Sequence, residues 1–171
     1  GLNIPEPLAA ADRRIRLLSF DVDGVLTDGR ITYSDEGREI KAFNVQDGTA
    51  IKMMADAGME IANLTGRDSP MVARRAEELG IQHLAQGLAD KGPAFQALCD
   101  GLGIPLDETA HVGDDLADLV LFDLAGLSIS VPNGHPAVRA RADHVTETSG
   151  GEGVARELAE LVLRARNSWP Y

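Results

Sequence analysis

The chain has one cysteine in 171 residues, no hydrophobic run near membrane-spanning length, and 16 lysine and arginine side chains against 27 aspartates and glutamates. Each shortage excludes something. Cys99 alone cannot close an intrachain disulfide, and its place in the helical pattern Ala94, Phe95, Leu98 makes it a small buried apolar residue suited to a reducing compartment. Without about 20 consecutive apolar residues no helix crosses a bilayer. The opening stretch GLNIPEPLAAADRR lacks a signal peptide's order of basic residues, apolar stretch and cleavage site. A soluble cytoplasmic protein is expected. The formal net charge of −11 repels phosphate backbones and anionic headgroups, and no local basic patch offsets it, which argues against nucleic acid and membrane surfaces as partners. An anionic substrate would then need local cations. The four histidines (His83, His111, His135, His144) are scattered without zinc spacing. No repeat or long low-complexity linker argues for a solenoid or a two-domain split.

What is present is an ordinary globular composition, 44% hydrophobic and 25% charged. A folded chain of this length hides roughly 70% of the surface its unfolded form exposes, enough for one domain spanning residues 1–171. Short apolar runs read as buried strands: RLLSF (16–20), EIANL (60–64), IQHL (81–84), TAHV (109–112) and LSISV (127–131). Helical patterns separate most of them. One follows the N-cap candidate Ser69 and Pro70, presents Met71, Val72, Ala76 and Leu79, and stops at Gly80; another carries Val154, Leu158, Leu161, Val162 and Ala165. Alternating strands and helices imply right-handed crossovers and a parallel sheet covered on both faces, an α/β doubly wound fold. Between about 29 and 44 the stretches RITYS and EIKAF flank Asp35-Glu36-Gly37, a β-hairpin too small to be a domain and suited to a flap or an edge offered to another subunit.

Four polar signals fall at strand ends or helix starts: Asp21-Val22-Asp23-Gly24, Thr65-Gly66-Arg67, Lys91 and Gly113-Asp114-Asp115. Open parallel sheets bind ligands outside the carboxyl ends of their strands, so the four should share one crevice. On extended backbone Asp21 and Asp23 would point to the same side, and two carboxylates about 4 Å apart repel by about 4 kcal/mol at an effective dielectric of 20. Asp114 adds a third negative charge. Something cationic must sit among them, and hard oxygen ligands suit magnesium. Phosphoryl transfer to a carboxylate follows as the economical chemistry. Asp21 would attack, Asp23 would act as acid and base, Thr65 and Lys91 would hold phosphoryl oxygens, and Asp114 would anchor the ion. Asp115 or Asp118 would orient metal-bound water or hold Lys91.

These four motifs, DVDGVLTDG, LTGR, Lys91 and VGDD, resemble those of the haloacid dehalogenase-type phosphatases. Within that family FDVDGVLTDG, KAFNVQDG, HLAQG…DK, AHVGDDLAD and GGEGVARE look like the 3-deoxy-D-manno-octulosonate (KDO) 8-phosphate phosphatases, which act in lipopolysaccharide synthesis and need Mg2+. The resemblance implies Asp21 as nucleophile, Asp23 as acid/base and metal ligand through its carbonyl, Asp114 as third protein ligand, and Lys91 as phosphate anchor. It also implies that Asn44, Val45, Gln46, Asp47 and Gly48 line the substrate site, together with Lys52, Arg67 and Arg75. Gln46 stands where many members carry arginine, and the tail at 167–171, NSWPY, is short. No cap domain is inserted, so water exclusion would fall to a neighbouring chain of the homotetramer that this family builds from its hairpins. Two other readings remain. A nine-carbon ulosonic acid phosphate is the alternative substrate, disfavoured by Arg67, and a phospho-accepting receiver-like module is the alternative class, disfavoured by Asp23 two residues beyond the acceptor.

Overall fold

The computed structural model describes residues 5, 6 and 15–171, so most of the opening stretch read above lies outside the described residues. Six strands form one parallel sheet in the order β5-β4-β1-β6-β7-β8, with β1 Leu17–Phe20, β4 Glu60–Leu64, β5 His83–Ala85, β6 Thr109–Val112, β7 Leu127–Ser130 and β8 His144–Val145. The central strand β1 pairs with β4 on one side, Phe20 opposite Asn63, and with β6 on the other, Phe20 opposite Val112. Chain direction across the sheet reverses around β1, which places the loops after β1, β4 and β6 side by side.

The helices are α1 Val45–Asp56, α2 Pro70–Leu79, α3 Lys91–Leu102, α4 Leu119–Leu124, α5 Pro136–Arg141 and α6 Val154–Ala165. Strand alternation divides the core between the two faces. Leu18, Phe20, Val112 and Ile129 pack with Ile51 and Met54 of α1 and Val154, Leu158 and Val162 of α6. Leu17, Ala62 and Leu64 meet Phe95 and Cys99 of α3 and Leu121 of α4 on the other face. Both faces are therefore covered, as an all-parallel sheet requires. Cys99 is free and buried, in agreement with the expectation above.

Several local expectations are corrected. Strand β5 begins at His83 rather than 81, because Ile81 still serves the end of α2: its N–H donates to the Ala76 carbonyl across the left-handed Gly80. Ser69 precedes α2, but its side chain makes no cap; its N–H instead donates to Gln86 Oε1 at 2.9 Å. The hairpin strands are two residues each, β2 Thr32–Tyr33 and β3 Glu39–Ile40, closed by a turn through Gly37 at φ +80°. Strand β8 was not expected at all, since a two-residue edge strand has no readable alternation. In the tail Trp169 packs back against the α1/α6 side of the core, under the Arg164 guanidinium.

Helix α6 starts at Gly153, which has no side chain to cap it. Asp47, reaching over from α1, supplies the acceptor: Oδ1 receives the N–H groups of Ala155 at 2.9 Å and Arg156 at 3.3 Å. Burial raises its carboxyl from 3.8 to about 6, against the opposing pull of those N–H groups. A proton held more tightly in the folded state gives stability that is present below the unfolded value and lost as pH rises through the folded one. Two pH units at about 1.4 kcal/mol each therefore set the expected change. Relative to Asp47→Asn, the unmodified protein should lose about 2–3 kcal/mol of stability between pH 4 and 7. Urea unfolding at several pH values checks this, and a pH-independent gap between the two proteins would contradict it.

Candidate active site

The loop after β1 leaves extended geometry at once. Val25, Leu26 and Thr27 all donate N–H groups to the Val22 carbonyl, and Thr27 Oγ1 accepts from the N–H groups of Gly24 and Gly29. Gly24 adopts φ +85°, and a Cβ there would lie 1.9 Å from Asp114 Oδ2. Only glycine lets the β1 loop and the β6 loop touch. Each of the two carboxylates, Asp21 and Asp23, has its own lysine, and Asp23 is outside the trio formed by Asp21 with Asp114 and Asp118. Asp21 Oδ1 is 3.2 Å from Lys91 Nζ, and Asp23 Oδ1 is 2.6 Å from Lys41 Nζ.

Asp21, Asp114 and Asp118 each place a carboxylate oxygen within 4.8 Å of the others. Lys91, at the start of α3 behind the Asp90 cap, is buried between Asp21 and Asp118, donating to Asp118 Oδ1 at 2.8 Å. Asp118 is fully engaged. His111 Nε2 lies 2.7 Å from Oδ1, and the N–H groups of Asp114 and Asp115 donate to Oδ2 at 3.0 and 3.2 Å. His111 is braced in turn by Ser19 Oγ at 3.0 Å. Of the two second carboxylates considered, Asp118 thus holds Lys91, whereas Asp115 caps the 3-10 turn Leu116–Asp118 through the Leu116 N–H.

The electrostatics follow from burial and neighbours. Burial raises the Asp21 carboxyl well above its ordinary value, Asp118 and Asp114 add to this, and Lys91 opposes it. Burial likewise raises Asp114, to about 6. Burial opposes ionisation of Asp118 as well, but the His111 hydrogen bond and the Lys91 charge prevail and hold it well below the carboxylate range. Burial works against the Lys91 ammonium, yet Asp21 and Asp118 raise it above the usual lysine value. Among the three clustered carboxylates, Asp21 and Asp114 retain oxygens for a cation. Asp114 Oδ1 is buried with no hydrogen-bond partner among the described residues, the mark of a missing positive ligand. An all-oxygen donor set of this kind fits a hard divalent ion such as magnesium.

The remaining expected residues fall into separate groups. Thr65 is buried at the end of β4, its Oγ1 accepting the Arg67 N–H at 3.4 Å. Arg67 lies 3.8 Å from Asp23 Oδ2 and pairs with Glu39 at 3.1 Å. Asn44 caps α1 through the Gln46 N–H at 2.8 Å and donates to the Gly151 carbonyl. Asn44, Asp47, Gly48 and Arg75 line one cavity with Asn63 and Val22. A Cβ on Gly48 would meet Arg75 Nη2 at 2.5 Å. Val45 and Lys52 instead border an outer groove that shares Gly48 and Arg75, and Gln46 is exposed at the start of α1. Lys41, Glu39 and His111 were missed from sequence. His111 alone left a signal, a polar residue inside the apolar run TAHV.

Residues 83–158 match the haloacid dehalogenase-like hydrolase family. A KDO 8-phosphate phosphatase of Escherichia coli K12 is 45% identical over 157 residues, 92% of this chain and 84% of the relative. The chain belongs to the KDO 8-phosphate phosphatase family of haloacid dehalogenase-like hydrolases. Solved phosphatases of that family superimpose closely. The Moraxella catarrhalis structure, a complex with a magnesium ion, a phosphate ion and KDO, is 48% identical with a TM-score of 0.90, over 94% of this chain and 92% of that one. The cobalt-bound Haemophilus influenzae phosphatase is 40% identical with a TM-score of 0.88, over 92% of each chain. The doubly wound fold expected from sequence is therefore this family's fold, with the antiparallel hairpin attached.

Asp118 anchors the site beneath the clustered oxygens, because two buried partners, Lys91 and His111, depend on it. Asp118→Ala leaves His111 Nε2 without its acceptor and Lys91 with Asp21 alone, and should cost about 3–5 kcal/mol of folding stability, read from urea denaturation. A loss below about 1 kcal/mol would show that the network is not what holds this corner together.

Proposed function

We propose that the protein is a Mg2+-dependent phosphatase that hydrolyses KDO 8-phosphate to KDO and inorganic phosphate, a step of lipopolysaccharide synthesis. The observation that carries this reading is the convergence of Asp21, Lys91 and Asp114 at one end of the sheet, in a chain 45% identical to a KDO 8-phosphate phosphatase. Asp21 and Asp114 would hold the ion through carboxylate oxygens and Asp23 through its backbone carbonyl. When bound, the ion offsets the repulsion between anionic nucleophile and anionic ester and draws charge from the phosphoryl oxygens.

The protein's own groups do the rest. Asp21 attacks phosphorus in line, forming the aspartyl phosphate as the bond to the sugar oxygen breaks. Asp23 gives that leaving oxygen a proton and takes one back from the water that hydrolyses the aspartyl phosphate. Lys91, held by Asp118, and Thr65 with the N–H groups after it bind the equatorial oxygens where charge spreads. Arg67, partly exposed beside Asp23, is placed to take the sugar carboxylate by charge-assisted hydrogen bonds, and Lys52 and Arg75 add positive charge along the outer groove. Asn44 and Asp47 act on the site through structure, as caps that set α1 and α6. Gln46, exposed at the mouth, meets the sugar more weakly than an arginine does.

A homotetramer is supported by the hairpin, which leaves Ile31, Tyr33 and Ile40 exposed on an unpaired two-stranded sheet. A cytoplasmic setting is supported by the free, buried Cys99. Light scattering on the purified protein reads the assembly directly, and a monomer at micromolar concentration would reject the tetramer.

Phosphate release from a panel of sugar phosphates tests the activity. KDO 8-phosphate should turn over faster than the nine-carbon ulosonate phosphate, and the opposite order would reject the substrate assigned here. Asp21→Asn should lower kcat by at least ~10⁴-fold with the fold intact by circular dichroism. Chelation should abolish release and magnesium restore it, whereas full turnover in chelator would discard the role given to the clustered carboxylates. Continuous release over many turnovers separates this enzyme from a receiver-like module, which would stop after one equivalent.

A further inference from the structure

Lysine normally stays at the surface, and a buried ammonium persists only with close anionic partners. Lys41 follows β3 on the hairpin, between exposed Ile40 and Ala42, yet its side chain is 2% exposed. It turns inward: Nζ donates to Asp23 Oδ1 at 2.6 Å and lies 3.1 Å from Glu39 Oε1. Among the described residues no other side chain hydrogen-bonds the Asp23 carboxylate. Arg67 is the next cation, at 3.8 Å from Oδ2, with 44% of its side chain in solvent. Besides the Glu39–Arg67 pair, the hairpin therefore grips one site carboxylate through a short contact.

We infer that Lys41 is a positioning residue, holding the Asp23 carboxyl group in the orientation from which it exchanges a proton with the leaving oxygen and with water. The inference rests on Asp23 being the acid/base proposed above. With Oδ1 tied to Lys41, Oδ2 is the oxygen that carries the proton. That proton goes to the leaving oxygen as the phosphorus–oxygen bond breaks, and one returns from water as the aspartyl phosphate is hydrolysed, so Asp23 ends each cycle as it began. An untethered aspartate would sample several side-chain rotamers, and misplacement by about 1 Å costs on the order of 10²-fold in rate. The hairpin is thus part of the proton-transfer apparatus as well as an edge for assembly.

The test uses two esters of the same charge and without sugar, phenyl phosphate and p-nitrophenyl phosphate, with the magnesium-loaded full chain. Phenolate needs a proton on departure far more than nitrophenolate does, so impaired proton donation biases kcat/KM against the phenyl ester. Lys41→Met should lose roughly tenfold more on phenyl phosphate than on p-nitrophenyl phosphate, and Lys41→Arg should recover part of that bias. Asp23→Asn should show the same bias, and adding Lys41→Met to it should not increase the bias further. Equal losses on both esters in Lys41→Met, or an added bias in the double variant, overturns the inference alone. If Asp23→Asn shows no bias either, Asp23 is not the acid and the inference falls with that assignment. Thermal unfolding of each variant confirms that the comparison is between folded proteins, and Lys41→Arg carries the test if Lys41→Met does not fold.

Discussion

A lysine buried between two aspartates is the interaction on which the rest of the molecule depends. Lys91 lies between Asp21 and Asp118 with almost no exposure, and each of the three would be costly in that environment alone. Coulomb attraction at this depth offsets the desolvation only because the geometry is close and the remaining oxygens of Asp118 are satisfied by His111 and two backbone N–H groups. The chain of contacts runs from Ser19 in the central strand through His111 and Asp118 to Lys91 and Asp21. It ties the Asp21 carboxylate to the central strand of the sheet.

Two negative charges are left over. Lys91 serves two carboxylates, Asp114 adds a third, and the buried Oδ1 of Asp114, unpartnered among the described residues, is where the deficit shows. A folded protein keeps such an imbalance where a ligand removes it, which is the physical sense of an ion-dependent phosphatase. The close apposition of Gly24 to Asp114 makes the imbalance unavoidable, since it brings the β1 and β6 loops together.

Sequence reasoning found the strands β1, β4 and β6 at or within one residue of their bounds, because each is a short apolar run ended by a polar signal. It found Asp21, Lys91 and Asp114 as one group because strand order in a doubly wound sheet forces their loops together. It did not foresee Asp23 outside the trio of Asp21, Asp114 and Asp118. The expectation that Asp21 and Asp23 share a side assumed extended backbone, whereas three N–H groups converge on the Val22 carbonyl and turn the chain. It named Asn44 and Asp47 for the site without foreseeing that their oxygens cap α1 and α6. Caps formed across the fold, like that of Asp47 on the Ala155 and Arg156 N–H groups, leave no local spacing to detect.

The alternation of strands and helices, the four motif positions and the excess of acid were determined by the sequence alone, because periodicity and strand-end placement are local properties that survive without coordinates. Which carboxylate meets which cation was decided only by the tertiary structure. Lys41 and Asp23 are 18 residues apart, and His111 and Ser19 are 92 apart. Such pairings depend on how loops turn and how deeply each charge is removed from water, and both are settled by packing across the whole sheet.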